Sequence, residues 1–179
     1  TVLNPNANWN GPTVMTALGD SLYVVQNNRL HRVNPNDGSF QLLGETSWAG
    51  ATSAAAVDGS VYIVQADHLH RVNPNDGSWT VIGSARWIGA TVMTSLSGWL
   101  YIVENSHLHR VNPNDGSYQT LGGASWAGAT SISSVNGELY IIQNGRLHRV
   151  SPNSGNWTVI GQGTWAGPTT MSASAGSCR

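Results

Sequence analysis

The sequence predicts an all-β chain folded as a small β-propeller of four-stranded blades, and three observations predict it. The first is a period. LHRVNPNDGS begins at Leu30, again at Leu69 and again at Leu108, with a worn copy, LHRVSPNSGN, from Leu147, so the copies step by 39 residues. A period of that size marks a stacked or radial repeat. The same step relates Trp9, Trp48, Trp87, Trp126 and Trp165, and a second aromatic series, Phe40, Trp79, Tyr118 and Trp157. The second observation is that each period holds four strand-length segments separated by turn residues. The third is that the first of these segments is built from small side chains, as a crowded innermost strand would be.

The first repeat shows the elements in order. After WNGP comes TVMTAL (strand A), the Gly19-Asp20 turn, SLYVVQ (strand B), the Asn27-Asn28 turn, RLHRV (strand C), the NPNDG turn and SFQLLG (strand D). β-Branched and aromatic residues fill the segments, while Gly, Asn, Asp and Pro separate them. Strand A reads TSAAA at Thr52 to Ala56 and carries Thr130, Ser131, Ser133 and Ser134 in the fourth repeat. Strand B (LYVVQ, VYIVQ, LYIVE, LYIIQ) is apolar on both sides, the pattern of a strand covered on both faces. Strand C alternates weakly, with Leu30 and Arg32 on one face and His31 and Val33 on the other.

Four such strands repeated about a centre make a propeller blade, whereas a β-helix has shorter coils and a sandwich needs no strict self-similarity. The chain is expected to form a single domain over residues 1–179, with repeats at 9–47, 48–86, 87–125 and 126–164. An N-terminal strand at 1–8 and a partial fifth repeat at 165–179 complete it. Thr1 to Leu3 align with strand D, and WAGPTTMSASAG at Trp165 to Gly176 starts strand A again. Those ends fit a four-bladed ring with overlapping termini. The alternative is a five-bladed plan that lacks strands B and C of one blade.

Composition narrows the partners. The net charge is -1, and the eight basic residues are all Arg and are spread through the repeats, which argues against nucleic acid. No apolar run approaches the roughly 20 residues that span a bilayer, so no membrane insertion is expected. The opening TVLNPNANW lacks Met, a charged segment and an apolar segment, the expectation for a mature secreted protein. Cys178 is the sole cysteine, which allows a homodimer through an interchain disulfide in an oxidising compartment. Asn156-Trp157-Thr158 matches the glycosylation pattern but occupies a turn-to-strand position shared by the other repeats, and is read as coincidence.

IGQGTWAGPTTMSASAG, together with the turn-to-strand pattern of GELYII at Gly137 to Ile142, resembles the repeats of the tachylectin and tectonin propeller lectins. The resemblance covers nearly the whole chain. It implies sugar recognition at several equivalent sites, commonly for N-acetylated or O-methylated sugars. The family's repeats are longer and often carry a Pro-Pro segment where this chain has NPNDG, so the family's site residues are not carried over.

The residues themselves suggest where ligand would sit. In NPNDGS, Pro presets φ, Asn and Asp bond to nearby backbone and Gly takes positive φ, so local turn chemistry explains the block as scaffold. The loops joining B to C lie at the other end of the strands and are richer in amides and bases. They supply Gln26, Asn27, Asn28 and Arg29; Gln65, Asp67 and His68; Glu104, Asn105 and His107; and Gln143, Asn144 and Arg146. The D to A loops at the same end add Trp9, Trp48, Trp87, Trp126 and Trp165. Indole faces suit the C–H faces of sugars, while amides and Arg suit hydroxyls. The same recurrence fits each Trp as a packing wedge between blades.

His68-x-His70 and His107-x-His109 place paired imidazoles on one strand face, but neither motif supplies a third ligand, so no metal or other cofactor is expected. Three of the nine acidic residues are the turn residues Asp37, Asp76 and Asp115, and no catalytic signature is present. Repeated near-equivalent positions suit multivalent binding rather than catalysis. The expected function is therefore a non-catalytic lectin for glycans or glycoproteins. The alternatives are a protein-interaction scaffold, or a four-bladed protein holding haem or metal through its His series. The identical ten-residue copies also fit a consensus-derived repeat, against which the uneven fourth copy counts.

Overall fold

A computed structural model describes residues 9–165 and residue 171. The expectations for the N-terminal strand at 1–8, for strand A of the fifth repeat and for Cys178 fall outside the described residues. Within them the chain is all β. The first blade comprises β1 (Val14–Leu18), β2 (Ser21–Gln26), β3 (Arg29–Val33) and β4 (Phe40–Leu43), and the second β5 (Ser53–Val57), β6 (Ser60–Gln65), β7 (His68–Val72) and β8 (Trp79–Val81). The third comprises β9 (Ala90–Leu96), β10 (Trp99–Glu104), β11 (His107–Val111) and β12 (Tyr118–Leu121). The fourth comprises β13 (Ala129–Val135), β14 (Glu138–Gln143), β15 (Arg146–Val150) and β16 (Trp157–Ile160).

Each blade is one antiparallel sheet with its strands side by side in chain order. The fold class is thus a β-propeller with four four-stranded blades among the described residues. The blades group into two compact units that divide between Trp87 and Ile88, two blades to each. Both cores follow from the periodicity. Strand B is apolar on both faces, and Val61 to Val64 and Leu100 to Val103 are buried along their whole run. In the first unit Tyr23, Val25, Leu30 and Leu43 pack with Trp48, Val61, Ile63 and Val72; in the second Tyr101, Val103, Leu108 and Leu121 pack with Trp126, Leu139, Ile141 and Val150.

Two kinds of turn join the strands. Between B and C, both central residues take positive φ in every blade: Asn27 and Asn28 at 50° and 62°, Ala66 and Asp67 at 46° and 64°, Asn105 and Ser106 at 45° and 70°, Asn144 and Gly145 at 50° and 70°. These are the two-residue hairpins whose twist matches the flanking strands. Between C and D, the NPNDGS block closes on itself. Asn34 Oδ1 accepts from the Asn36 amide at 2.9 Å, and Asp37 Oδ1 accepts from the Ser39 amide at 2.9 Å and from its hydroxyl at 2.7 Å. Those Ser39 bonds hold the Asp37 carboxyl below its ordinary range. In the fourth copy, where Ser154 replaces the Asp, its hydroxyl accepts from the Asn156 amide at 3.2 Å.

The turn also docks its blade on the preceding one. Tyr23 donates its hydroxyl to the Pro74 carbonyl at 3.3 Å, and Tyr101 does the same to Pro152 at 3.3 Å. Beside these bonds the turn glycine lies against the end of the neighbouring strand D. A Cβ on Gly77 would sit 2.7 Å from the Leu43 carbonyl carbon and 2.9 Å from the Gly44 nitrogen; one on Gly155 would sit 2.7 Å from the Leu121 carbonyl carbon. No side chain fits between those backbones.

Gly59 provides the control for this contact, because its φ of 73° matches the 76° of Gly77 while nothing lies within 4 Å of its Cβ position. Gly59→Ala is expected to cost about 1 kcal/mol, from the left-handed backbone alone. Gly77→Ala adds the backbone clash and is expected to cost about 3 kcal/mol or more. Chemical denaturation of the two variants checks the difference.

Candidate functional site

The B to C and D to A loops do come together, through their backbones. The Asn28 carbonyl accepts from the Trp48 amide at 2.7 Å, Asp67 from Trp87 at 2.8 Å, Ser106 from Trp126 at 2.7 Å and Gly145 from Trp165 at 2.7 Å. The amide side chains reinforce this junction. Gln65 Nε2 donates to the carbonyls of Ser47 and Ala49 at 2.9 and 3.0 Å, Gln143 Nε2 to those of Ser125 and Ala127 at 2.9 and 2.8 Å, and Gln26 Nε2 to Asn10 at 3.1 Å. These glutamines therefore clamp the loops that carry Trp9, Trp48 and Trp126.

The other predicted residues divide between structure and solvent. Arg29 donates to the Gly44 carbonyl at 2.9 Å, His68 Nδ1 to Ala66 at 2.7 Å and His107 Nδ1 to Asn105 at 2.9 Å. Asp67 pairs with Arg86 at 3.1 Å on an exposed surface, where such a pair contributes little. Asn27, Asn28, Asn105 and Asn144 are turn residues with exposed side chains, and Arg146 is exposed as well. In the third blade Glu104 replaces the clamping glutamine. As a carboxylate it accepts instead, from Asn105 Nδ2, and it lies 3.5 Å from His109 Nε2. Burial raises its pKa, against a lowering from the nearby His107.

The tryptophan series splits. Trp48, Trp87 and Trp126 are 1%, 3% and 1% exposed and offer no face to a ligand; packing is their role. Trp165 is 46% exposed and Trp9 is half-buried. What holds the buried indoles is the histidine of strand C. Trp48 and His70 meet edge-on with ring centres 5.4 Å apart, and Trp126 and His148 at 5.4 Å; Trp9 and His31 meet at 5.7 Å. His68 and His70 are 6.3 Å apart, and among the described residues no three His, Cys, Asp or Glu side chains converge as a metal site.

The exposed ring in each cluster is the strand D aromatic. Phe40 lies 5.6 Å from His31, Trp79 5.0 Å from His70, Tyr118 5.3 Å from His109 and Trp157 5.2 Å from His148, all steeply tilted. These four rings are 50%, 43%, 54% and 47% exposed. Trp79 is fixed further, since its Nε1 donates to the Thr46 hydroxyl at 2.8 Å. Sequence reasoning used this series only to mark the register. The signal that could have found it is the alternation in FQLL, WTV and WTVI: apolar side chains two apart on the edge strand of a sheet share one face, and here that face is open.

Four-stranded antiparallel sheets that repeat along the chain, each presenting one pinned aromatic, define a β-propeller. No protein-family model matches the chain, and no curated protein sequence matches it. Solved structures do. A Bacteroides thetaiotaomicron structural-genomics protein of unknown function superposes with a TM-score of 0.72 at 13% identity, covering 97% of this chain and 56% of that one. YjhT gives 0.70 at 13%, covering 93% and 69%, and a chain of a nidogen–laminin complex gives 0.73 at 11%, covering 92% and 69%. YCF48 bound to D1 peptide gives 0.62 at 13%, with 83% of this chain and 52% of that one covered. This chain thus spans about half the length of two of these proteins. At such identities the likeness is one of fold.

The buried imidazoles make the clusters sensitive to acid. Desolvation lowers the pKa of His70 and of His109, so both are neutral in the folded protein when the unfolded chain has begun to protonate. The unfolded state then binds more protons, and folding stability falls as pH drops below the ordinary imidazole value of about 6.5. Melting temperature measured from pH 7.5 down to 5 is expected to fall. In the His70→Gln and His109→Gln double variant that slope is expected to flatten, leaving the decline that begins near the carboxylate range.

Proposed function

We propose that this protein is a non-catalytic, multivalent carbohydrate-binding protein of the tachylectin and tectonin type, acting outside the cell on glycans or glycoproteins. The observation that carries the reading is the set of four strand D rings, Phe40, Trp79, Tyr118 and Trp157, each about half exposed. A ring whose back is packed against an imidazole presents a rigid apolar surface without losing side-chain freedom on binding. Such surfaces complement the C–H faces of pyranose rings. Repetition on successive blades multiplies weak contacts, and avidity then exceeds single-site affinity by about 10²-fold or more where geometry permits.

This placement differs from the loop site expected from the sequence. The clamping glutamines and the buried indoles of Trp48, Trp87 and Trp126 are engaged in holding the loops, which leaves the strand D face as the stronger platform.

A protein-interaction scaffold is the second reading. Leu42, Val81 and Val159 stand beside the rings at 46%, 45% and 40% exposure, an aliphatic surface that a sugar does not require. The peptide-bound YCF48 and the nidogen–laminin complex supply propeller relatives in fold that engage polypeptides.

A glycan array combined with agglutination tests the proposal. The protein is expected to bind a defined glycan set, and Trp79→Ala with Trp157→Ala is expected to lower apparent avidity about tenfold or more. Absence of binding to every glycan at high protein concentration would favour the scaffold.

A further inference from the structure

The repeats are not equivalent on the side of the sheet opposite the exposed rings, and the departure lies in the first blade. The A to B turn reads Asp58-Gly59, Ser97-Gly98 and Asn136-Gly137 in the later blades, with both residues at positive φ. In the first blade the order is inverted to Gly19-Asp20, and only Gly19, at 56°, is positive. That is the hairpin with glycine at its first central position, and it puts a charged side chain at the second, where the other blades have glycine. The next position varies too: Ser21 in the first blade corresponds to Ser60, Trp99 and Glu138.

The third blade shows what occupies this space elsewhere. Trp99 lies under the Arg110 guanidinium, 4.8 Å from ring centre to guanidinium carbon, and Arg110 also bonds Gln119 at 3.1 Å and Asn153 of the fourth blade at 3.3 Å. In the first blade the equivalent Arg32 keeps the bond to Gln41, at 2.9 Å, but Ser21 stands in place of the indole. The second and fourth blades have Thr80 and Thr158 where Gln41 stands, so they lack the tether that orients the arginine. The result in the first blade is an open cleft of about 470 Å³ lined by Asp20, Ser21, Arg32, Asn34, Asn36 and Gln41. Ser39 and Phe40, at the start of strand D, complete its border.

We propose that this cleft is a selective site for one neutral hexopyranose ring, which makes the first blade the principal sugar site of the molecule. The inference rests on the carbohydrate reading above. The volume lies within the roughly 300–1,000 Å³ of small-molecule sites. The lining is polar: a carboxylate that only accepts, a guanidinium that only donates, and amides and a hydroxyl that do both. Neighbouring sugar hydroxyls, each donor and acceptor, match that mixture. Asp20 and Arg32 cancel in charge, so a neutral ring is favoured, and Asp20 disfavours a sugar acid. The ring would lie in the space that the Trp99 indole occupies in the third blade.

Two variants that copy other blades test the cleft with the full chain. Gly19→Asn with Asp20→Gly recreates the turn of the fourth blade and removes the carboxylate; Ser21→Trp introduces the indole of the third. Calorimetry and saturation-transfer NMR with methyl glucoside, methyl galactoside, methyl mannoside and glucuronate supply the readout, and thermal melting verifies the fold. The wild type is expected to bind at least one neutral hexoside with one dominant site per chain, and glucuronate more weakly. The turn variant is expected to lose about tenfold or more in affinity, the loss of a charge-assisted hydrogen bond, and Ser21→Trp is expected to abolish binding. Unchanged affinity in both variants overturns the cleft while leaving the carbohydrate reading intact, as does array binding without any hexoside binding by the wild type. Failure of the wild type to bind any sugar on the array or in solution overturns both.

Discussion

The contact on which the blade arrangement depends is the one that tolerates no side chain: the turn glycine of one blade against the strand D end of the blade before it. Gly77 meets Leu43 and Gly44, and Gly155 meets Leu121 and Gly122, with less than 3 Å between the neighbouring backbone and the place where a Cβ would be. Two demands meet at that glycine. The turn requires positive φ, and the neighbouring strand requires empty space. The tyrosine of strand B and the proline carbonyl lie beside the same contact, so the interblade hydrogen bond and the close approach position each other. Repetition of LHRVNPNDGS follows, since its leucine and valine fill the blade core, its histidine braces the indole and its turn seats the blade.

Much of this was legible in the sequence. The period of 39 residues, the strand lengths and the turn positions came from β-branched runs and from Gly, Asn, Asp and Pro between them, because those residues act locally. The glycine docking was not legible, since the turn already gives positive φ a sufficient local cause. Nor was the engagement of Gln65 and Gln143. Their partners are backbone carbonyls, which every residue has and no residue type announces. The fate of Trp48 and Trp126 turned on depth, and recurrence carries no information about depth. Strand D is the opposite case: the alternation of Phe40 with Leu42 and of Trp79 with Val81 could have been read directly.

Glu104 shows how a single departure changes a repeated junction. At the other three positions a glutamine donates to the loop ahead of its blade; a carboxylate has nothing to donate, so the third blade satisfies Glu104 from Asn105 and places it near His109. The loop ahead of the third blade loses that side-chain clamp, while the Trp87 amide still donates to the Asp67 carbonyl at 2.8 Å. A scaffold held by several bonds per junction tolerates the loss of one.

That tolerance separates positions that must repeat from positions free to differ. Residues that touch both their own blade and the next one are constrained twice, and a change there has to be matched across the contact. The A to B turn is constrained only by its own hairpin register, which a two-residue loop satisfies in more than one way. Inverting Asp-Gly to Gly-Asp leaves the pairing of Leu18 with Ser21 intact, as Val57 pairs with Ser60, while moving a carboxylate into the surface beside Arg32. Asymmetry can therefore enter the repeat here without disturbing the fold.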